Sequence, residues 1–282
     1  MATGSIPTVS IAGIPFYAGS IPDAIVHIQD ICSGSEPRLN RCVSASGAHG
    51  VVHARRNRGF HDLLNTFYMN LPDGMPCVWV GRAKGAREMR RCYGPDVFKD
   101  MMKASAGRDV NHFLCGGGEG VAEKLRQACR NSFGNHNISG IYTPPFAAVD
   151  EFDYEEIARN INSSKADLVW IGISTPKQEM FAARLAEYTD VHFLVTVGAA
   201  FDFHIGNIRQ APGWMQRIGL EWFFRLLIEP RRLWKRYAVA VPMFILYAVG
   251  DLLKSKNTEY GIQESGGRGQ EPEGRNDADR PE

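Results

Sequence analysis

The sequence predicts an α/β protein: a mostly parallel sheet flanked by helices, followed by a C-terminal helical appendage that associates with membranes. Three observations carry the prediction. Leu168 to Ile173 is a run with no charge and several β-branched or aromatic members, as a parallel strand covered on both faces requires. A polar loop follows directly, Ser174-Thr175-Pro176-Lys177-Gln178, then a helical pattern over Glu179 to Glu187 with Met180, Phe181, Leu185 and Tyr188 at helical spacing. The same strand, loop and helix order recurs through residues 1–210, before a cationic and aromatic stretch begins. Ligands of open α/β sheets sit beyond the carboxyl ends of the strands, so Ser174, Thr175, Lys177 and Gln178 are expected to face a site. An ordinary strand-to-helix turn is the plain alternative.

The chain has 282 residues, 44% hydrophobic and 22% charged, enough for one sizeable core and a smaller unit. A net charge of +1 argues against a nucleic-acid partner and confines electrostatic arguments to local clusters. Six cysteines, at 32, 42, 77, 92, 115 and 129, form no C-x-x-C pair; they suit small buried hydrophobes of a reduced compartment. The N-terminus has no cationic n-region, and Pro7, Gly13 and Pro15 interrupt its apolar residues, so no signal peptide is expected and the bulk of the chain is placed in the cytoplasm.

In chain order, Val9 to Ile14 is expected as the first strand, with a turn at Gly13-Ile14-Pro15, and Ser20 to Ile31 as a helix, with Ile21, Ile25 and Ile28 on its inner stripe. Arg41 to Ala45 is the second strand, entering Ser46-Gly47-Ala48-His49-Gly50 and a helix with Val51, Val52 and Ala54. His49 and His53 have the i, i+4 spacing of a metal pair, but no third ligand accompanies them, and no metal site is predicted. Phe67 to Leu71 leads into Pro72-Asp73-Gly74, a turn sequence, and an apolar run from Met75 to Val80. Asp73 is the only carboxylate between Asp62 and Glu88, in a window holding Arg82, Lys84 and Arg87 and followed by Arg90 and Arg91. A lone carboxylate near clustered cations suits a general base beside a phosphate site; a plain turn is the rival reading.

Val110 to Leu114 is a further strand, running into Cys115-Gly116-Gly117-Gly118-Glu119-Gly120 and a helix from Val121 to Arg130. Gly116, Gly117 and Gly118 allow backbone N–H groups to approach a phosphate at a helix N-terminus, and Gly172 at the end of the central strand is grouped with them. The G-x-G-x-x-G fingerprint fails, because Val121 stands where its last glycine belongs, and the strand near Ile138 to Tyr142 ends in Thr143-Pro144-Pro145 rather than an acid. Both departures argue against a dinucleotide oxidoreductase. Val191 to Val197 is the last strand. Asp202 beyond it either accepts hydrogen bonds from sugar or ribose hydroxyls or anchors a loop.

Trp214 to Tyr237 sets Arg217, Arg225, Arg231, Arg232, Lys235 and Arg236 against Glu221 and Glu229, interleaved with Trp222, Phe223, Phe224, Trp234 and Tyr237. Pro230 should restart a helix, in which Arg231 and Lys235, and Arg232 and Arg236, form cationic ridges. Tyr237 to Gly250 is uncharged but broken by Pro242. At fourteen residues against the roughly 20 needed to cross a bilayer, residues 211–253 are expected to form a monotopic contact with aromatics and cations at the headgroups; a packed helix with a solvated basic face is the alternative. Residues 254–282 are expected to be disordered. The only Asp-x-Asp, Asp277-Ala278-Asp279, falls there, where it organises no metal–diphosphate site.

Four ordered pieces carry a family likeness: Leu71-Pro72-Asp73-Gly74, Arg91-Cys92-Tyr93-Gly94-Pro95-Asp96, Pro176-Lys177-Gln178-Glu179, and Gly219 to Arg225 continuing to Glu229-Pro230-Arg231-Arg232-Leu233. With them the chain, from about Val9 to Tyr237, resembles the WecG/TagA/CpsF glycosyltransferases, family 26, whose GT-E type fold is Rossmann-like. The resemblance implies inverting transfer from a UDP-sugar to a saccharide on polyprenyl diphosphate, at the cytoplasmic face of the inner membrane, with no cofactor and with a homo-oligomer left open. It implies Asp73 as base, Arg91 and Gln178 as pocket residues, Asp202 on the nucleotide side, and Arg225, Arg231, Arg232 and Arg236 as arginines completing the site. Where relatives often carry Thr-x-Asn, this chain has Ser44-Ala45-Ser46-Gly47-Ala48-His49, so Ser46 or His49 is expected to take over the acceptor contact. A non-catalytic peripheral membrane protein that binds nucleotide sugars or assembles a polysaccharide complex is the reading from another functional class.

Overall fold

Ala12 (φ 52°) and Gly13 (φ 87°) sit in left-handed backbone and turn the chain back on itself, so the single strand expected over Val9 to Ile14 is a hairpin: β1 (Thr8–Ile11) and β2 (Ile14–Tyr17). Two successive residues with positive φ match the twist of tight hairpins, and Gly13 accepts it without a side-chain clash. The computed structural model describes residues 6–265, with side chains described through Ser255. Its further strands are β3 (Arg41–Ser46), β4 (Met69–Pro72), β5 (His112–Gly116), β6 (Ile138–Tyr142), β7 (Leu168–Gly172) and β8 (Phe193–Thr196). They form one sheet in the order β1-β2-β4-β3-β8-β7-β5-β6, parallel except for β1. The seam between β3 and β8 joins two halves of the chain, the position at which open α/β sheets bind ligands.

Helices cover both faces. On one, α1 (Ile21–Ser33) lies with Val97, Phe98 and Leu125 of later helices over Val43, Trp170 and Val195. On the other, α2 (Ala48–Arg56), α3 (Arg58–Thr66) and α4 (Met75–Ala83) pack around Phe16. The apolar run after Asp73 is thus the helix α4, opened by Pro76 in its first turn, where a missing N–H costs nothing. Next come α5 (Gly94–Ala104), α6 (Val121–Phe133), α7 (Tyr154–Ser163), α8 (Lys177–Leu185) and α9 (Ala200–His204). Of these, α7 and α8 close a second apolar core over Phe113, Val169 and Ile171.

The appendage consists of α10 (Gly213–Arg217), α11 (Glu221–Ile228) and α12 (Pro230–Ser265). As expected, Pro230 opens a new helix. Two expectations need correction. The last helix runs on to Ser265, so 254–265 is helical rather than structureless; the remainder, with Asp277-Ala278-Asp279, lies outside the described residues. Pro242 does not end the helix: Pro230–Ser255 is 26 residues long and holds an 18-residue window with a mean hydropathy of 1.5, so length and composition suffice for a span where the fourteen-residue count read the stretch as short.

One stripe of α12 nevertheless faces protein. Leu233, Ala240 and Phe244 are buried, at the 7 and 4 spacing of one helical face, and Asp251 continues the stripe by 7. Asp251 Oδ2 accepts the Ala12 N–H at 2.9 Å and Lys84 Nζ at 3.0 Å, pinning the helix to the first hairpin and α4. The opposite side exposes Trp234, Val239, Ile245, Leu246, Val249 and Leu253. Replacing Asp251 with alanine leaves the Ala12 N–H and the Lys84 ammonium without their shared acceptor. It should cost about 1–3 kcal/mol, read as a lower denaturant midpoint at unchanged m-value.

Candidate active site

Asp73 follows the last residue of β4, and its N–H donates to Ser46 O of neighbouring β3 at 3.0 Å. Strand pairing therefore brings the Asp73 and Ser46 loops together at the carboxyl edge. Asp73 Oδ1 accepts the Gly94 N–H at 2.7 Å from the first turn of α5, where the helix dipole favours a negative charge. Burial works the other way and prevails: it raises the Asp73 carboxyl to about 6, helped by nearby Glu221 and opposed by Arg91, the Gly94 bond and Arg225. A carboxyl poised near neutrality can both hold and release a proton under ordinary conditions.

Arg91 joins the two parts of the protein. Its Nε donates to Asp73 O at 2.9 Å, its Nη1 to Gln216 Oε1 of α10 at 3.1 Å, and its Nη2 forms an ion pair with Glu221 Oε2 of α11. The guanidinium lies 4.1 Å from the Tyr93 ring centroid, and burial followed by Glu221 raises the Tyr93 hydroxyl far above its ordinary range. Arg225, one turn after Glu221, lies 5.8 Å over Phe203 and keeps a buried Nε with no hydrogen-bond acceptor. In this arrangement Arg91, expected to meet a phosphate, is engaged within the protein, whereas Arg225 has donor capacity to spare. Glu221, Gln216 and Tyr93 were assigned no role from sequence. Two of them lie inside quoted motifs, but nothing local marks their partner.

Of the residues expected on the acceptor side, Ser46 pairs through its carbonyl with the Asp73 N–H, and His49 follows three residues later in α2. Ser46 is buried and its Oγ has no partner; a Cβ on Gly50 would come within 2.1 Å of it, so Gly50 makes the room that hydroxyl occupies. His49 stands in the first turn of α2, and burial, then Arg236 and His53, lowers its imidazole to about 4. It is therefore neutral near pH 7 and offers a lone pair or an N–H rather than a charge. Arg231 and Arg232 are exposed, the latter paired with Glu229. Among the described residues, no three His, Cys, Asp or Glu side chains converge to hold a metal ion.

Other expected residues turn inward. Gln178 is 1% exposed. Its Oε1 accepts the Gly198 N–H at 3.0 Å and its Nε2 donates to Thr175 Oγ1 and Glu179 Oε1, so its amide ties loops together rather than facing the crevice. Gly116 and Gly172 are register partners where the strand backbones touch: a Cβ on Gly116 would lie 2.6 Å from Gly172 O, and one on Gly172 2.8 Å from the Phe201 ring. Close packing accounts for both. The Gly117 N–H donates to Gly172 O, while Gly118 has open space around it. This glycine turn sits over β5, four strand steps or about 19 Å from β4 along the same edge. Asp202 Oδ1 accepts Asn207 Nδ2 at 3.0 Å, and its carbonyl accepts two loop N–H groups, which is the loop-anchor alternative.

A profile of the family described as "Glycosyl transferase WecG/TagA/CpsF family" matches residues 9–258. The chain belongs to the WecG/TagA/CpsF glycosyltransferases. A Bacillus subtilis (strain 168) protein named N-acetylglucosaminyldiphosphoundecaprenol N-acetyl-beta-D-mannosaminyltransferase is 26% identical over 253 residues, 90% of this chain and 95% of its own length. A protein of the same name from Bacillus spizizenii (strain ATCC 23059 / NRRL B-14472 / W23) is 27% identical over 192 residues, 68% of this chain and 72% of its own. The match runs past α11 into α12, so in this WecG/TagA/CpsF protein the sheet edge and the helices that close over it both lie within the family's shared region.

The Asp73 shift has a consequence for stability. Its folded-state value lies above its ordinary one, so the stability it contributes is present at low pH and lost as pH rises from about 4 through about 6. Asp73→Asn, which keeps an acceptor for the Gly94 N–H, should gain on wild type across that window by up to about 3 kcal/mol. The difference in urea midpoint measured against pH reads this directly; a gap independent of pH would show that Asp73 ionises as it does in the unfolded chain.

Proposed function

We propose that this glycosyltransferase moves a sugar from a UDP-sugar, with inversion, to a saccharide carried on polyprenyl diphosphate at the cytoplasmic face of the membrane. The observation that carries the reading is Asp73: a half-buried residue whose carboxyl is raised by burial to about 6 at the carboxyl end of a central strand, flanked by Arg91 and Arg225 from separate parts of the chain. The acceptor class follows the name of the Bacillus relatives, whose substrate is a saccharide diphosphate of undecaprenol.

The chemistry uses these groups in a single displacement. The acceptor hydroxyl attacks the anomeric carbon, Asp73 takes its proton, and the bond from that carbon to the UDP oxygen breaks. One base suffices for direct displacement, and the neighbouring carboxylate, Glu221, is held by Arg91. Negative charge developing on the diphosphate needs preorganised positive partners. Arg225, with its unpartnered Nε, supplies a guanidinium suited to phosphate, and Arg236, close enough to His49 to influence it, brings a second. Ser46 and His49 face the acceptor, and Gly117 and Gly118 the nucleotide end. The exposed apolar side of α12, with Trp234 and Lys235 among Arg231 and Arg232, is the composition of an interfacial helix, with rings at headgroup depth and cations on lipid phosphates. Its buried stripe keeps it on the domain, which favours lying in the interface over spanning it.

Asp73→Asn should lower sugar transfer to a synthetic polyprenyl-diphosphate saccharide by roughly 10²- to 10⁴-fold, with UDP affinity little changed in a calorimetric titration. In wild type, kcat/KM should rise with pH through about 6 as Asp73 ionises, and this limb should vanish in the variant. Substantial turnover by Asp73→Asn would remove Asp73 from the role of base.

A further inference from the structure

A row of polar side chains crosses the middle of the sheet. Asn70 on β4, Ser44 on β3 and Thr196 on β8 are register partners on adjacent strands, all at most 1% exposed. Residues in register on neighbouring strands share a face, and Ser46, two residues beyond Ser44, shares it too. The row separates two apolar cores, one around Ile171 and Phe181 and one around Phe16 and Val51. Polar side chains in such a place need a partner that brings hydrogen bonds with it.

Glu179 supplies one from α8. It is fully buried, and its Oε1 accepts from Ser44 Oγ at 3.2 Å, from Thr175 Oγ1 at 3.0 Å and from Gln178 Nε2 at 3.0 Å. Gln178 in turn accepts the Gly198 N–H. One carboxyl oxygen thus joins β3, the loop after β7 and, through Gln178, the loop after β8. Strand β3 carries the linkage on to the reacting edge, because Ser46 O accepts the Asp73 N–H.

We propose that Glu179 is a positioning residue: through Ser44, Thr175 and Gln178 it holds the ends of β3, β7 and β8 in the arrangement that sets an acceptor against Asp73. The inference rests on the sugar-transfer reading for its consequence and on the hydrogen-bond geometry for its mechanism. Burial outweighs the three donors and raises the Glu179 carboxyl above the ordinary range, and no cation is among its hydrogen-bond partners. Glutamine, with the same shape and an acceptor oxygen, should therefore replace it, whereas leucine removes the acceptor of the Ser44 and Thr175 hydroxyls and leaves Gln178 Nε2 with Thr175 alone.

The test compares full-length wild type, Glu179→Gln and Glu179→Leu by UDP release with a synthetic polyprenyl-diphosphate saccharide, and by amide hydrogen exchange at Gln178, whose N–H donates to Ser174 O, and Gly198, whose N–H donates to Gln178 Oε1. Glu179→Leu should lose roughly 10- to 100-fold in kcat, the scale of a small misplacement of reacting groups. Its KM for the donor should change little and both amides should exchange faster; Glu179→Gln should restore the rate and the slow exchange. If Glu179→Gln is as impaired as Glu179→Leu, the carboxylate itself is required and the positioning role fails. It fails equally if Glu179→Leu keeps full kcat and slow exchange. Should Glu179→Leu not fold, Ser44→Ala and Thr175→Val each remove one donor and should each lower kcat; unchanged kcat in both overturns the proposal. If wild type releases no UDP, the sugar-transfer reading fails, and the exchange comparison alone then decides whether Glu179 holds the loops.

Discussion

The ion pair between Arg91 and Glu221 joins two parts of the chain 130 residues apart, and the geometry around Asp73 depends on it. Both side chains are mostly out of water, 15% and 13% exposed. A desolvated pair of this kind gives little net stability over an apolar contact, while removing one partner costs about 3–5 kcal/mol because the other charge is left alone. Its role is registration. With Glu221 fixed, α11 is fixed, and Arg225 one turn further on is delivered to the edge of the sheet where Asp73 stands. The Arg91 Nε bond to Asp73 O completes the link, so one guanidinium touches both the Asp73 backbone and the helix that brings the second cation.

This arrangement separates the demands placed on the arginines. Arg91 holds the appendage, Arg225 retains an unused buried donor, and Arg231 and Arg232 are exposed beside the apolar side of α12. Under the proposed function, holding the appendage, meeting a diphosphate and meeting lipid headgroups are different tasks, assigned to different residues of what the sequence presents as one cationic cluster. Below that edge, the polar row crossed by Glu179 gives the loops a rigid base where a purely apolar sheet would have offered only non-directional packing.

Much of the fold was legible because buried parallel strands leave a plain compositional trace. The uncharged run at Leu168 to Ile173, the strand at Val191 to Val197 and the glycine turn after Val110 to Leu114 each found their element. The first hairpin was not legible as such, since Gly13 was taken to end a strand rather than to reverse it. The reach of α12 was hidden by Pro242 and by the charges at each end of the apolar stretch, which a composition count treats as boundaries although the exposed face of a helix tolerates them. Within the site, Asp73 stood out by its isolation among cations. Arg91 was singled out through the family motif it opens, but its partner was not legible, because sequence separation carries no record of a tertiary contact. Gln178 showed the converse: a polar residue on a loop facing the ligand edge, which hydrogen bonding turns inward.

The central claim is that a guanidinium delivered by the appendage carries the charge of the departing diphosphate, and Arg225 is the residue that tests it. The measurement is UDP release by full-length wild type and Arg225→Ala with a polyprenyl-diphosphate saccharide, each with and without EDTA. The account predicts roughly a 10²- to 10³-fold loss for Arg225→Ala, the scale of removing one transition-state donor, with wild type indifferent to the chelator. Full activity of Arg225→Ala, or wild type silenced by EDTA and revived by manganese, would contradict it.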